Sequence, residues 1–276
     1  MRPVKRQGVR ASILHLAALV LALIAFAPFV WALRLSLEPS FSTAVPLLPR
    51  QPTLENFRNL LLFTPFARWV LNSLIFAGSL TVSNVLLDAA AGYVLARRRL
   101  PASDLIFTGV LALLMVPHQV TLIPLYLIIN ALGLVDTYAG LILPLAATSF
   151  GIFVMRQFIG RIPIEYEEAA TVDGASRLRV FFSVIIPLSR PALLVVAVTT
   201  FVEAWNNFIF PLVMITRNEL RTVTLGLSDF TYATLNVNWG MTMAGALLGA
   251  LPAVVLFVLL NRSFMEGFSI AGGTRG

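Results

Sequence analysis

Long apolar runs separated by short polar stretches set the pattern of this chain. The runs at about 12–36, 69–95, 104–131, 138–160, 190–215 and 240–264 each supply the roughly 20 mostly apolar residues that one helical membrane span requires. They predict an all-α polytopic membrane protein of six transmembrane helices, with one membrane domain over residues 12–266 and tails at 1–11 and 267–276. Pro28, Pro117, Pro124, Pro144, Pro211 and Pro252 interrupt most of the runs. Inside a bundle, neighbouring helices and water satisfy the backbone groups that a proline frees. The prolines either shape the bundle or let helices bend around a pathway, and the sequence leaves both open.

Polar residues inside the spans mark sides that face protein or water. The second run carries Asn72, Ser79 and Ser83 at i, i+7, i+11, and Asn84 and Asp88 at i, i+4. Asp88 is expected near the inner interface in a structural pairing. The fifth run reads Phe201-Val202-Glu203-Ala204-Trp205-Asn206-Asn207-Phe208. An ionised carboxylate at mid-membrane costs about 2.5–3.5 kcal/mol on insertion scales, so Glu203 needs a reason to be there. Glu203, Asn206 and Asn207 share a helix face by i, i+3, i+4 spacing, with aromatic rings interleaved. Two readings stand: an interhelical hydrogen-bond knot, or the lining of a transport path in which Glu203, Trp205, Asn206 and Asn207 meet a hydroxylated solute.

The segment 161–189, between the fourth and fifth runs, is the most elaborate polar stretch. Pro163 suits a first helical turn, and Glu165, Glu167 and Glu168 complement the positive end of the helix dipole. Ala169 and Ala170 leave a face with little side-chain bulk. Gly174, after Asp173, is expected to end this helix in the left-handed conformation. Ser176 is the candidate N-cap of a second helix that stops before Pro187. The product is helix, glycine turn, helix, with a small knob at the corner. Such a pair can rest on a membrane or dock on a protein. A surface-resting helix favours Lys and Arg toward the headgroups, and the glutamate-led start therefore points to a protein.

Composition agrees with a bilayer as solvent. Apolar residues make up 58% of the chain and charged residues 12%, and the mean hydropathy is +0.86. The net charge of +7 might suggest nucleic acid, but its placement argues against that partner. With the N-terminus inside, the inner segments hold Arg2, Lys5, Arg6, Arg10, Arg97 to Arg99, Arg156, Arg161, Arg177, Arg179, Arg190, Arg262 and Arg275. The outer side holds only Arg34, Arg50, Arg58, Arg68, Arg217 and Arg221. The positive-inside rule then puts both termini in the cytoplasm of a bacterial or archaeal cell with a multi-pass inner-membrane protein. Ala25-Phe26-Ala27 resembles a cleavage site, yet the apolar run continues through Leu33, so the first run is read as a retained span. Absence of cysteine excludes disulfides and thiolate metal sites, and His15 and His118 lack carboxylate companions for a metal. Lys5 is the only lysine and no glycine loop precedes it, so a phosphate-binding loop cannot be built. No cofactor is expected on this chain; ATP and magnesium, if used, belong to a partner.

The segment Glu168-Ala169-Ala170, then Gly174, then Val184-Ile185-Ile186-Pro187 closely resembles the signature of the permease subunits of binding-protein-dependent ABC importers, with its aliphatic positions substituted. Leu54-Glu55-Asn56-Phe57, Asn72-Ser73-Leu74, Ile123-Pro124-Leu125-Tyr126, Leu132-Gly133-Leu134, Trp205-Asn206 and Leu220-Arg221-Thr222 extend the likeness to the carbohydrate branch, of maltose or glycerol-phosphate type. The tail departs from that branch at Gly273-Thr274-Arg275-Gly276. The resemblance implies a non-catalytic transport subunit that forms half of a pathway with a second, homologous permease. Two cytoplasmic ATPase subunits would each receive one short helix, with Glu168 facing a basic residue and Ala169, Ala170, Asp173 and Gly174 permitting close seating. An external solute-binding protein would dock on loops 38–68 and 217–239. An ion-coupled secondary transporter or channel using Asp88 and Glu203 is the alternative, and it gives no reason for the glutamate-led knob.

Overall fold

In the computed structural model the backbone is described for residues 4–39, 51–97, 100–232 and 238–272, and the side chains for 14–39, 51–97, 100–231, 238–256 and 258. Residues 1–3, parts of the loops 38–68 and 217–239 (40–50 and 233–237), Arg98, Arg99 and the Gly273 to Gly276 tail therefore lie outside the described residues. The described secondary structure is entirely helical: α1 (Val4–Ser36), α2 (Glu55–Phe63), α3 (Phe66–Ala96), α4 (Ser103–Leu114), α5 (His118–Ala131), α6 (Tyr138–Ile142), α7 (Ser149–Ile159), α8 (Glu165–Val172), α9 (Arg177–Val180), α10 (Ile186–Leu188), α11 (Arg190–Asn206), α12 (Ile209–Met214), α13 (Val223–Tyr232) and α14 (Trp239–Gly272). By length and composition, three helical stretches can each cross a membrane unaided: Leu14–Ser36, Phe66–Ala96 and Trp239–Leu256. Three further candidates are bent pairs, Ser103–Leu114 with His118–Ala131 at 103°, Tyr138–Leu145 with Ser149–Ile159 at 42°, and Arg177–Leu188 with Arg190–Asn206 at 79°.

The prolines divide into two groups. Pro28, Pro124 and Pro252 lie inside α1, α5 and α14 without ending them. Pro117 is the extended N-cap of α5, and Pro144 lies in the 3-10 turn Leu143–Leu145 ahead of α7. These residues lack an N–H and their rings push on the preceding turn, so the helix stops there. The fifth run is not continuous either. It breaks at Asn207, whose backbone is extended, and resumes as α12.

The chain falls into two compact units, Met1–Phe66 with Leu227–Leu251 and Ala67–Gly226 with Pro252–Gly276. In the first, Asn56 is fully buried and donates to the carbonyls of Ser36 (2.9 Å) and Glu38 (2.6 Å), tying α2 to the end of α1. The apolar window of α1 is unburied. In the second, one core gathers Phe76, Ile129, Leu141, Trp205, Phe210 and Met214. Another gathers Ala89, Tyr93, Met155, Ile159, Phe181, Ile185 and Val196. Helix α3 runs through both.

Between α5 and α6, Asp136 adopts a left-handed φ of 59° that a non-glycine residue holds only with support. Its carboxylate accepts from the Thr216 hydroxyl, from the Thr216 N–H at 2.6 Å and from the Arg217 N–H at 2.9 Å. Partial burial pushes this carboxyl up, but those hydrogen bonds and the Arg217 charge outweigh it and hold it below its ordinary 3.8. A depressed folded value means that the clamp is complete above the ordinary carboxylate range and is lost only as pH falls through the depressed one.

Helices α3 and α7 approach where glycine permits it. A Cβ on Gly92 would lie 2.6 Å from the Met155 Cβ, and one on Gly151 would lie 1.9 Å from an oxygen of the fully buried Asp88. Gly151→Ala must therefore expel Asp88 from its hydrogen bonds, and a loss of about 1–3 kcal/mol is expected. Gly78→Ala on α3 meets nothing within 4 Å and should be neutral or slightly stabilising. Thermal unfolding of both variants in detergent micelles checks the contrast; equal melting temperatures would refute it.

Candidate functional site

The corner of segment 161–189 has the geometry that its glycine demands. Gly174 has φ +81°. The Ala175 N–H donates to the Ala170 carbonyl (2.9 Å) and the Gly174 N–H to the Thr171 carbonyl (3.0 Å), which is the Schellman pattern and leaves few carbonyls of α8 orphaned. Ser176 caps α9 by accepting from the Arg179 N–H. Glu168, Ala169, Asp173 and Gly174 are exposed and Ala170 half-buried. Val172 and Leu178 flank the corner at 87% and 72% exposure.

Two expectations about this segment need correction. Pro163 stands two residues ahead of α8 rather than in its first turn. The helical path after Ser176 does not stop before Pro187 but continues to Leu188, through a π turn at Phe181–Ile185. The wider turn directly ahead of Pro187 relieves the clash between its ring and the carbonyl four residues back that would end a regular helix.

The three glutamates, alike in sequence, have different surroundings. Glu165 and Glu168 are exposed, whereas Glu167 is 3% exposed. Its carboxylate accepts from the Tyr93 hydroxyl (2.7 Å) and pairs with the Arg97 guanidinium. Arg97 also donates to the Ile162 carbonyl at 3.0 Å. The corner is thus fastened to the end of α3. Sequence reasoning missed this joint. The only signal was the excess of acids over what a helix N-terminus needs.

A cavity of about 340 Å³ opens between α3, α5, α11 and the break before α12. Its polar lining includes Asn84, His118, Gln119, Thr148, Thr200, Glu203 and Asn207. Glu203 is exposed within it and makes no hydrogen bond among the described residues. Asn207 lines it and accepts from the Phe210 N–H (3.1 Å), capping α12, while its own carbonyl accepts from the Thr224 hydroxyl (2.8 Å). Of the other expected path residues, Trp205 is buried and stacked on Phe201 at 5.7 Å, and Asn206 is exposed, outside the lining, and donates to the Val202 carbonyl (2.8 Å). The i, i+3, i+4 face is split because the chain leaves the helix at Asn207.

The cavity wall rests on hydrogen bonds from α3. Asp88 accepts from the Thr148 N–H (2.9 Å) and hydroxyl (2.8 Å), at the N-terminus of α7. With its amide nitrogen assigned toward the main chain, Asn84 donates to the carbonyls of Ala146 (2.7 Å) and Leu145 (2.9 Å). Both close the break between α6 and α7. Asp88 is therefore a structural group, and its partner is that break.

Residues 88–265 match the family described as binding-protein-dependent transport system inner membrane component. The chain belongs to this family. It is 33% identical over 256 residues to the sn-glycerol-3-phosphate transport system permease protein UgpE of Shigella flexneri serotype 5b, covering 90% of this chain and 91% of that one. It is 34% identical to UgpE of Salmonella choleraesuis over 234 residues, covering 82% and 83%. Among solved structures, a chain of a bacterial ABC transporter involved in the import of the acidic polysaccharide alginate shares the fold, with a TM-score of 0.82, 21% identity, and 96% and 99% of the two chains covered. The matched stretch contains the permease corner and the cavity-lining helices α5 and α11.

Removing one partner of a buried ion pair typically costs about 3–5 kcal/mol. Glu167→Ala in this permease should lower detergent-micelle stability on that order, and Arg97→Ala likewise. The double charge swap Glu167→Arg with Arg97→Glu should recover part of the loss. If the swap is no better than the single variants, the pairing does not hold the corner.

Proposed function

We propose that this chain is the membrane-spanning permease of an ATP-driven, binding-protein-dependent importer for a sugar or related solute. In this reading the three unaided helices and the three bent pairs make six crossings, with both termini cytoplasmic and the unburied face of α1 turned to lipid or a second permease. The observation that carries the proposal is the Gly174 corner: an exposed knob of small side chains on a family member whose sequence holds no phosphate-binding loop. A cytoplasmic ATPase that seats Glu168, Ala169, Ala170, Asp173 and Gly174 in a cleft would supply the drive. No covalent chemistry is assigned to this chain.

The geometry supports a route for the motion. Closure of the ATPases pulls on α8, and Glu167 passes the displacement to α3 through Arg97 and Tyr93. Helix α3 carries Asn84 and Asp88, which hold the break beside the cavity. A displacement of the corner therefore reaches the cavity wall through packed, hydrogen-bonded elements. The outer loops would meet the solute-binding protein, which delivers cargo. Against a secondary transporter stands the placement of one of its two candidate acids: Asp88 is fully buried and committed to Thr148.

Gly174→Trp forces an L residue into positive φ and fills the knob. Uptake by cells expressing the complete system should fall by at least about tenfold, on the general ground that lost docking geometry exceeds 1.4 kcal/mol, while the amount of this chain in the membrane stays constant. Glu168→Ala should weaken uptake and co-purification of the ATPase together. Unchanged uptake by the Gly174 variant would sink the docking assignment.

A further inference from the structure

The charge of the cavity differs from what the cargo of the relatives would ask of it. Both sn-glycerol 3-phosphate and alginate, as those proteins are named, are anionic. Anion sites are built from Arg, Lys or helix N-termini with open N–H groups. Among its described lining the cavity has no Arg and no Lys. Its one acidic side chain is Glu203, exposed to the cavity and without a hydrogen bond among the described residues. Two helix N-termini nearby are already capped, α7 by Thr148, which accepts from the Gly151 N–H (3.0 Å), and α12 by Asn207, while α5 begins at His118 after Pro117 without a side-chain cap.

We propose that Glu203 is a specificity-determining residue that excludes anions, and that the cavity passes a polyhydroxylated solute without negative charge, a neutral sugar or polyol rather than a phosphate ester or uronate. This rests on the importer reading above. Glu203 accepts hydroxyl hydrogen bonds, which are stronger to a charged acceptor, and the amides and hydroxyls of Gln119, Asn207 and Thr200 add neutral donors and acceptors. Phe210, Leu122 and Leu125 offer apolar surface to the C–H faces of such a solute. An anion entering the same space meets a carboxylate at close range in a low-dielectric wall, where like charges repel far more than in water.

The chain contains no cysteine, so Gln119→Cys, an exposed lining position, supplies a single reporter. Membranes holding the whole transport complex are treated with a cationic trimethylammonium-ethyl methanethiosulfonate or an anionic sulfonatoethyl methanethiosulfonate, and labelling of this chain is followed by mass spectrometry. Normalised to a free thiol, the cationic reagent should react faster by on the order of tenfold, since Glu203 lines the same cavity and a unit charge there contributes on the order of 1.4 kcal/mol at intermediate dielectric. Glu203→Gln on the same background should erase most of that preference. An anionic preference, or a preference that survives Glu203→Gln, overturns the proposal. Cells expressing the system, but lacking other routes, should take up no radiolabelled sn-glycerol 3-phosphate, and uptake of that anion overturns it as well. Co-purification of the ATPase with the wild-type chain is measured in parallel. Its absence overturns the importer reading itself, whereas an unfavourable labelling pattern with the ATPase bound overturns only the assignment of Glu203.

Discussion

Each main-chain group freed inside a bilayer must find a partner within the protein, and in the larger unit of this chain α3 supplies several of them. Asn72 donates to the carbonyls of Glu219 and Arg221 at 2.8 Å each, and accepts from the Tyr138 hydroxyl at 2.7 Å. Ser73 accepts from the Val223 N–H at 2.9 Å. Asn84 and Asp88 serve the break between α6 and α7, and Tyr93 and Arg97 hold Glu167 at the corner. Unsatisfied groups in hydrocarbon cost several kcal/mol each. A bundle with bends of 42° to 103° is tenable only because an unbroken helix carries side chains placed to meet those bends. The continuity of α3 is what makes irregularity elsewhere tenable.

The same arrangement links the two ends of the mechanism. A permease driven from outside must turn a push at its surface into a change at its pathway. The corner is joined to α3 by charge-assisted hydrogen bonds, which are short and directional, while α3 meets the cavity wall through Asn84 and Asp88. Gly92 and Gly151 let α3 and α7 approach so closely that a shift of one must displace the other. By contrast, the side chains of Glu168, Ala169 and Asp173 at the corner are exposed. Glu167 is paired within the chain, and Glu168 is exposed.

Much of the site was legible in sequence, but not its division of labour. Helical periodicity gave Gly174 as the corner and Ser176 as the cap, because capping is local and depends on residues three or four positions away. It also gave Glu203, since a carboxylate in an apolar run needs a use. It could not separate Glu167 from Glu168, because their difference is a partner 74 residues away at Tyr93. It grouped Glu203, Asn206 and Asn207 on one face, and the extended backbone at Asn207 undid that grouping.

The sequence by itself determined the solvent, the six apolar runs, the helix–glycine–helix corner and the lack of a phosphate-binding loop, because each of these depends on composition or on neighbours within one or two helical turns. Only the tertiary structure decided which buried polar group supports the bundle and which one faces a cavity. Asp88 and Glu203 look equally anomalous along the chain. One is matched by Thr148, sixty positions on, and the other opens into space. Spacing fixes the face of a helix, whereas the neighbour that face meets is fixed by packing between segments up to 151 residues apart, and that packing is where the chemistry of the site was set.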